Sequence, residues 1–186
     1  MTRYAVSFLL ATILLTFGCK KDADPHLFEQ AEYLILEQRY EEAIPLLKQF
    51  LLNQPRHSGA HYYLGRCYFA STRNFWFALA EGEIQTALVL FERDGKKSAI
   101  PRFSDVYFEF ICHIDMAKIR LKQAMFLMEN LGDFGTARTL LEQAAHSVEH
   151  ARRIAPDSPD VPTMEQLIND FRRSLELPSR PVSPPR

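Results

Sequence analysis

The chain has 186 residues, room for one domain of ordinary size. Apolar residues make up 47% and charged residues 24%, with 7 glycines and 11 prolines, which excludes a disordered or collagen-like chain. A formal net charge of −1 argues against a nucleic-acid partner, and three cysteines without C-x-x-C spacing make neither a disulfide framework nor a zinc ribbon.

In chain order, the first feature is the uncharged apolar run Tyr4 to Phe17 behind Arg3. A spanning helix needs about 20 apolar residues, so this run has the length of a signal-peptide core. It stops at Gly18-Cys19, and polar Lys20-Lys21-Asp22 follow at once. A small residue directly before a cysteine at this point resembles the bacterial lipobox, with Leu15 one place earlier than that family's usual leucine. The resemblance implies cleavage after Gly18, acylation of Cys19 and a lipid anchor in a bacterial envelope. By the same family's sorting habit, Lys20 points to the outer membrane, facing the periplasm. The expected organisation is a signal peptide over 1–18, a membrane-proximal linker over 19–23, a helical domain over 24–177 and a proline-rich tail over 178–186. A secreted, unlipidated helical binding protein is the alternative.

Asp24-Pro25 reads as a helix start, a capping side chain before proline at the first helical position. Leu27, Phe28, Ala31, Leu34 and Ile35 then recur at helical spacing. After the Gln38-Arg39 turn, Ala43, Leu46, Leu47, Phe50 and Leu51 mark a second helix that Pro55 closes. Ser58 is the expected cap of a third, carrying Tyr63, Leu64, Cys67 and Tyr68. A fourth is expected from about Asn74 to Arg93, ending at Gly95, with Lys96 to Arg102 the longest loop. The fifth is apolar on several sides (Val106, Phe110, Ile111, Ile114, Ala117, Leu121, Met125, Met128), which implies burial between neighbours. Gly132-Asp133-Phe134-Gly135 breaks the chain before a sixth helix, which Pro156 stops. Asp160 is the expected cap of a seventh helix carrying Met164, Leu167, Ile168, Phe171 and Leu175. No segment alternates with period two, so the expected class is all-α.

Self-comparison shows a period near 34 residues. Tyr40 to Pro55 followed by His61-Tyr62-Tyr63-Leu64-Gly65-Arg66-Cys67-Tyr68 resembles the tetratricopeptide repeat. With Pro55 at the closing proline, Ala43 and Leu47 take the small and large positions of helix B. Leu64, Gly65 and Tyr68 take the Leu-Gly…Tyr positions of the next helix A. Ala80, Ile84 and Ala87 repeat the helix-B spacing after a short insertion, and Ala137, Leu141 and Ala144 repeat it again. The resemblance implies a right-handed solenoid of about seven helices and an adaptor or scaffold that binds a protein or peptide. It also implies a concave groove lined by Glu32 and Ile35, by Tyr62, Arg66 and Phe69, and by Lys122 and Phe126.

Other chemistry is sparse. His146-Ser147-Val148-Glu149-His150 matches the H-x-x-E-H pattern, in which two imidazoles on one helix face hold a metal while the carboxylate activates water. A small metal-dependent hydrolase is therefore the rival reading, against a solvated helix face. Cys112 and His113 are about 100° apart on a helix and cannot act as a nucleophile–base pair. Cys67 and Cys112 read as small core residues, with a disulfide between them left open. Phe75-Trp76-Phe77 reads as core. With no phosphate-cradling glycine loop and no G-x-S-x-G, no cofactor, resident metal or catalytic residue is assigned.

Overall fold

A computed structural model describes residues 25–71 and 76–176, and every regular element among them is a helix. The leader, Gly18, Cys19, the linker, Asp24, Asn74, Phe75 and the tail after Leu177 lie outside the described residues. The helices are α1 (Pro25–Leu36), α2 (Tyr40–Asn53), α3 (Ser58–Ala70), α4 (Phe77–Arg93), α5 (Asp105–Phe126), α6 (Phe134–Ile154) and α7 (Asp160–Glu176). A π-helical turn, Leu127–Leu131, extends α5 and ends at Gly132. None of these helices is long and apolar enough to cross a membrane.

Local chemistry sets most boundaries. Gln38 takes a left-handed φ of 61°, and the Arg39 amide donates back to the Leu34 carbonyl at 2.8 Å, closing α1. Gly95, at φ 78°, ends α4 in the same way as the Lys96 amide reaches the Phe91 carbonyl at 2.8 Å. Ser104 and Asp133 cap α5 and α6 by accepting from the Tyr107 and Thr136 amides at 3.1 and 3.0 Å.

Two expected caps differ. The cap of α3 is His57, whose Nδ1 accepts from the Ala60 amide at 3.0 Å, while Ser58 is the buried first residue of the helix. The His57 ring is held between Phe28 and Phe50, with centroids 4.7 and 5.0 Å away, and that packing aims its nitrogen. Asp160 is the first residue of α7 rather than its cap, so its carboxylate favours the helix through the positive N-terminal dipole. Helix α4 begins at Phe77, with Trp76 at the cap position and packed edge-on against Tyr68.

Each helix packs on the next along the chain, and α1 on α3, α3 on α5 and α5 on α7 also meet. Two apolar cores result. The first gathers α1 to α4, Ile100 from the α4–α5 loop, and Phe108, Cys112, Met116 and Ile119 of α5. The second gathers Phe110, Ile114, Ala117, Leu121 and Ala124 of α5 with α6 and α7. Helix α5 is thus buried on two sides, while Val106 and Met125 stay exposed at its ends. Cys67 and Cys112 are free thiols in the first core, and burial pushes Cys67 up to about 12 and Cys112 well above its ordinary value. Arg120 crosses the join between the cores. Its Nε donates to Glu81 of α4 at 2.7 Å, and its Nη1 donates to the Gln143 carbonyl and Ser147 Oγ of α6 at 3.0 and 2.7 Å.

Helices α3 and α4 approach closely at Gly65. A Cβ on Gly65 would stand 2.6 Å from Ile84 Cγ1 and 2.9 Å from the Ala80 carbonyl oxygen, so backbone would have to move. Gly82, on the outer side of α4, meets nothing within 4 Å. Gly65→Leu, and to a lesser degree Gly65→Ala, should lower stability by about 1–3 kcal/mol. Gly82→Ala should raise it by about 0.5–1 kcal/mol, since alanine is the better helix former. Urea unfolding of the variants checks both signs.

Candidate functional site

The seam where α3 meets α1 and α5 collects the polar groups that the apolar cores do not absorb. At its α1 end, the Tyr63 hydroxyl donates to Glu32 Oε1 at 2.6 Å, and Arg102 pairs with Glu32 at 3.0 Å. Arg102 also donates to the Tyr63 hydroxyl at 2.6 Å. Burial, then the hydrogen bond to Glu32, raises the Tyr63 hydroxyl above its ordinary value, so it remains a donor.

At the α5 end the centre is Asp115, 7% exposed. It accepts from the Tyr62 hydroxyl at 3.1 Å and from Lys118 Nζ at 3.2 Å, and Arg66 Nε lies 3.7 Å away. Burial, reinforced by the Asp115 charge, raises the Tyr62 hydroxyl well above its ordinary value, which keeps that proton in place. A carboxylate buried on this doubly covered helix is tolerable because donors meet it from two helices.

Of the expected groove residues, the structure moves two into the core. Tyr62 is 0% exposed and Ile35 5%, so neither side chain lines a solvent-facing groove. The Tyr62 ring is enclosed by Tyr63, Phe103 and Phe108, whose centroids lie 5.6 to 6.0 Å away. Phe103 belongs to the α4–α5 loop, and its closure over α3 is what covers the tyrosine. Glu32 is engaged by Tyr63 and Arg102, as above. Arg66, Phe69, Lys122 and Phe126 remain at the surface of the α3–α5 seam, half-buried apart from the exposed Lys122. Arg66 stacks over the Tyr62 ring at 5.8 Å, Lys122 lies over Phe69 at 5.2 Å, and Phe126 packs on Phe77 at 6.1 Å. Sequence reasoning missed Asp115, Lys118, Tyr63 and Arg102. The signal for the first two was an opposite-charge pair three residues apart on a helix whose apolar residues fall on several sides.

The H-x-x-E-H segment sits on α6, facing α5. His146 and His150 approach with Nε2 atoms 3.0 Å apart, and the His150 ring stacks on His113 of α5 at 5.0 Å, the planes within 10°. Glu149 is engaged instead by Arg152 and Arg153 at 3.1 and 3.4 Å. Among the described residues, no group of three or more histidine, cysteine, aspartate or glutamate side chains is arranged to hold a metal ion.

The described residues define an all-α protein whose inner seam is basic, aromatic and internally hydrogen-bonded. No protein-family model, curated protein or solved structure matches the chain.

The Asp115 node should respond asymmetrically to truncation. Tyr62→Phe leaves Asp115 with Lys118 and Arg66 and should cost about 1 kcal/mol, one modest hydrogen bond. Asp115→Ala strands the buried Tyr62 hydroxyl as well and should cost more, about 2–3 kcal/mol. In the double variant, the cost should be less than the two single costs added together, because the singles share one bond. Denaturant unfolding of the three variants measures the coupling.

Proposed function

We propose that this chain is a lipid-anchored envelope adaptor whose helical hairpins stack as in tetratricopeptide repeats. Its α3–α5 seam holds an extended acidic segment of a partner protein. The observation that carries the reading is a row of three cations along one accessible seam, Arg66 and Lys118 beside the single carboxylate of Asp115 and Lys122 over the half-buried Phe69 ring. Such a row suits a chain that offers carboxylates at intervals, and Arg with aromatic rings is the residue mix that concentrates binding energy at interfaces.

The packing of α1 on α3, α3 on α5 and α5 on α7 supports the repeat reading. In a stack, each hairpin covers the apolar face its predecessor leaves open, which brings alternate helices side by side. The near approach of Gly65 to Ala80 and Ile84 supports it at the residue level. The lipid anchor rests on the Gly18-Cys19 junction at the end of the apolar run Tyr4 to Phe17. Two or more acyl chains on Cys19 would give the stable attachment that a single chain does not. The hydrolase alternative has less support, because Glu149, the carboxylate it needs beside the imidazoles, is drawn off by two arginines.

Two measurements test the proposal. Labelling with a fatty-acid probe should tag the wild-type chain and leave Cys19→Ser unlabelled and unprocessed. Equal labelling of both removes the anchor. For the seam, an oligo-glutamate peptide should bind the full chain at low salt and weaken as salt rises, whereas an oligo-lysine peptide should not bind. Arg66→Ala and Lys122→Glu should each weaken binding about 30-fold, roughly 2 kcal/mol. Arg172→Ala, on the outer face of α7, should leave it unchanged. Equal binding of both peptides, or full binding by Lys122→Glu, overturns the acidic-segment reading.

A further inference from the structure

We propose that His146 and His150 form a two-imidazole clip on α6 for a divalent transition-metal ion, Cu(II) or Ni(II) in preference to Zn(II). This site is separate from the α3–α5 seam.

Residues four apart on a helix share a face, and two histidines so placed can direct ring nitrogens at one point. Here the two Nε2 atoms are 3.0 Å apart, with ring planes at 86°. Metal–imidazole bonds of about 2.0–2.1 Å that span a 3.0 Å separation enclose roughly 95° at the metal. That angle is close to the cis angle of about 90° in square-planar or tetragonal coordination, the geometry of Cu(II) and Ni(II) with nitrogen and oxygen ligands. It falls short of the tetrahedral angle of about 109° that Zn(II) takes in structural sites. Imidazole suits all three ions, and the intrinsic affinity order also places Cu(II) first.

The surroundings suit this ligand set. Two neutral imidazoles tolerate facing nitrogens at this distance only while one carries the ring proton as a donor. Metal entry requires both Nε2 lone pairs, so that proton passes to Nδ1 of the same ring and the ion takes its place between the nitrogens. His113, stacked parallel to His150, fixes the plane of that ring but directs its own lone pairs into a separate plane. It is therefore a positioning residue, and the remaining coordination positions are left to water. Glu149 is held away by Arg152 and Arg153, and Arg152 also pairs with Glu165 of α7. His146 is exposed, which gives the ion a path in, and His150 is half-buried behind it.

The test uses the untagged full chain, stripped with a chelator and equilibrated separately with Cu(II), Ni(II) and Zn(II). Metal analysis should find one equivalent bound, tightest for Cu(II). The electron paramagnetic resonance spectrum of the Cu(II) form should show hyperfine coupling to two imidazole nitrogens. His146→Ala and His150→Ala should each lower affinity at least tenfold and reduce the coupling to one nitrogen. His113→Phe, which keeps the stack, should stay within about threefold of wild type. Oligo-glutamate binding at the seam should persist in His146→Ala, so failure of one proposal is distinguishable from failure of the other. Absence of stoichiometric uptake, or wild-type affinity in His146→Ala, overturns the inference. Because His146 is exposed, its variant keeps the fold and the readout stands even where His150→Ala does not.

Discussion

Helix α5 has to satisfy two apolar cores at once, and the rest of the molecule is arranged around that demand. Phe108, Cys112, Met116 and Ile119 face one core while Phe110, Ile114, Ala117, Leu121 and Ala124 face the other. A helix covered on two sides has little surface on which to solvate its polar residues, so most of those turned inward find a partner inside the protein, Gln123 Oε1 being the buried exception. Asp115 finds Tyr62 and Lys118, and Arg120 finds Glu81, Ser147 and a backbone carbonyl of α6. His113 finds the face of His150. The seam, the junction between the cores and the histidine pair are three consequences of one buried helix.

The second constraint is the distance between α3 and α4. With hydrogen as its side chain, Gly65 lets the two backbones come close enough for Ile84 and Ala80 to sit directly beneath it. That approach sets where α3 lies relative to α5, and so which of its residues reach solvent. Tyr62 ends beneath Phe103 and Phe108, while Arg66 and Phe69, one and two turns further along, emerge at the seam. Of the accessible cations, Arg66 and Lys118 share Asp115 between them, and Lys122 stands over the Phe69 ring.

Much of the helical layout was legible in the residues. The fifth helix's apolar residues on several sides pointed to double burial, and Gly95 and Pro156 marked helix ends at the positions where they occur. The misreadings share a cause. His57 caps α3 because two phenylalanines from other helices aim its ring, and nothing within the segment distinguishes it from Ser58 as the donor's partner. Tyr62 is core because Phe103 of the α4–α5 loop and Phe108 of α5, more than forty residues later, pack against its ring. A helix-face argument places residues around one axis, but burial depends on what covers each side of that axis.

The amino-acid sequence by itself determined the helical class, the approximate ends of the helices and the existence of a central helix with two apolar faces. Those properties depend on residues within a few positions of one another, through hydrogen-bond spacing, turn chemistry and apolar periodicity. Only the tertiary structure decided which polar residues would meet. Asp115 and Tyr62 are 53 positions apart, Arg120 and Ser147 27, and Tyr63 and Glu32 31. Each of these contacts requires helices to be docked at a particular depth and rotation, set by side-chain packing along the whole interface. A single residue pair far apart in the chain carries no trace of that docking.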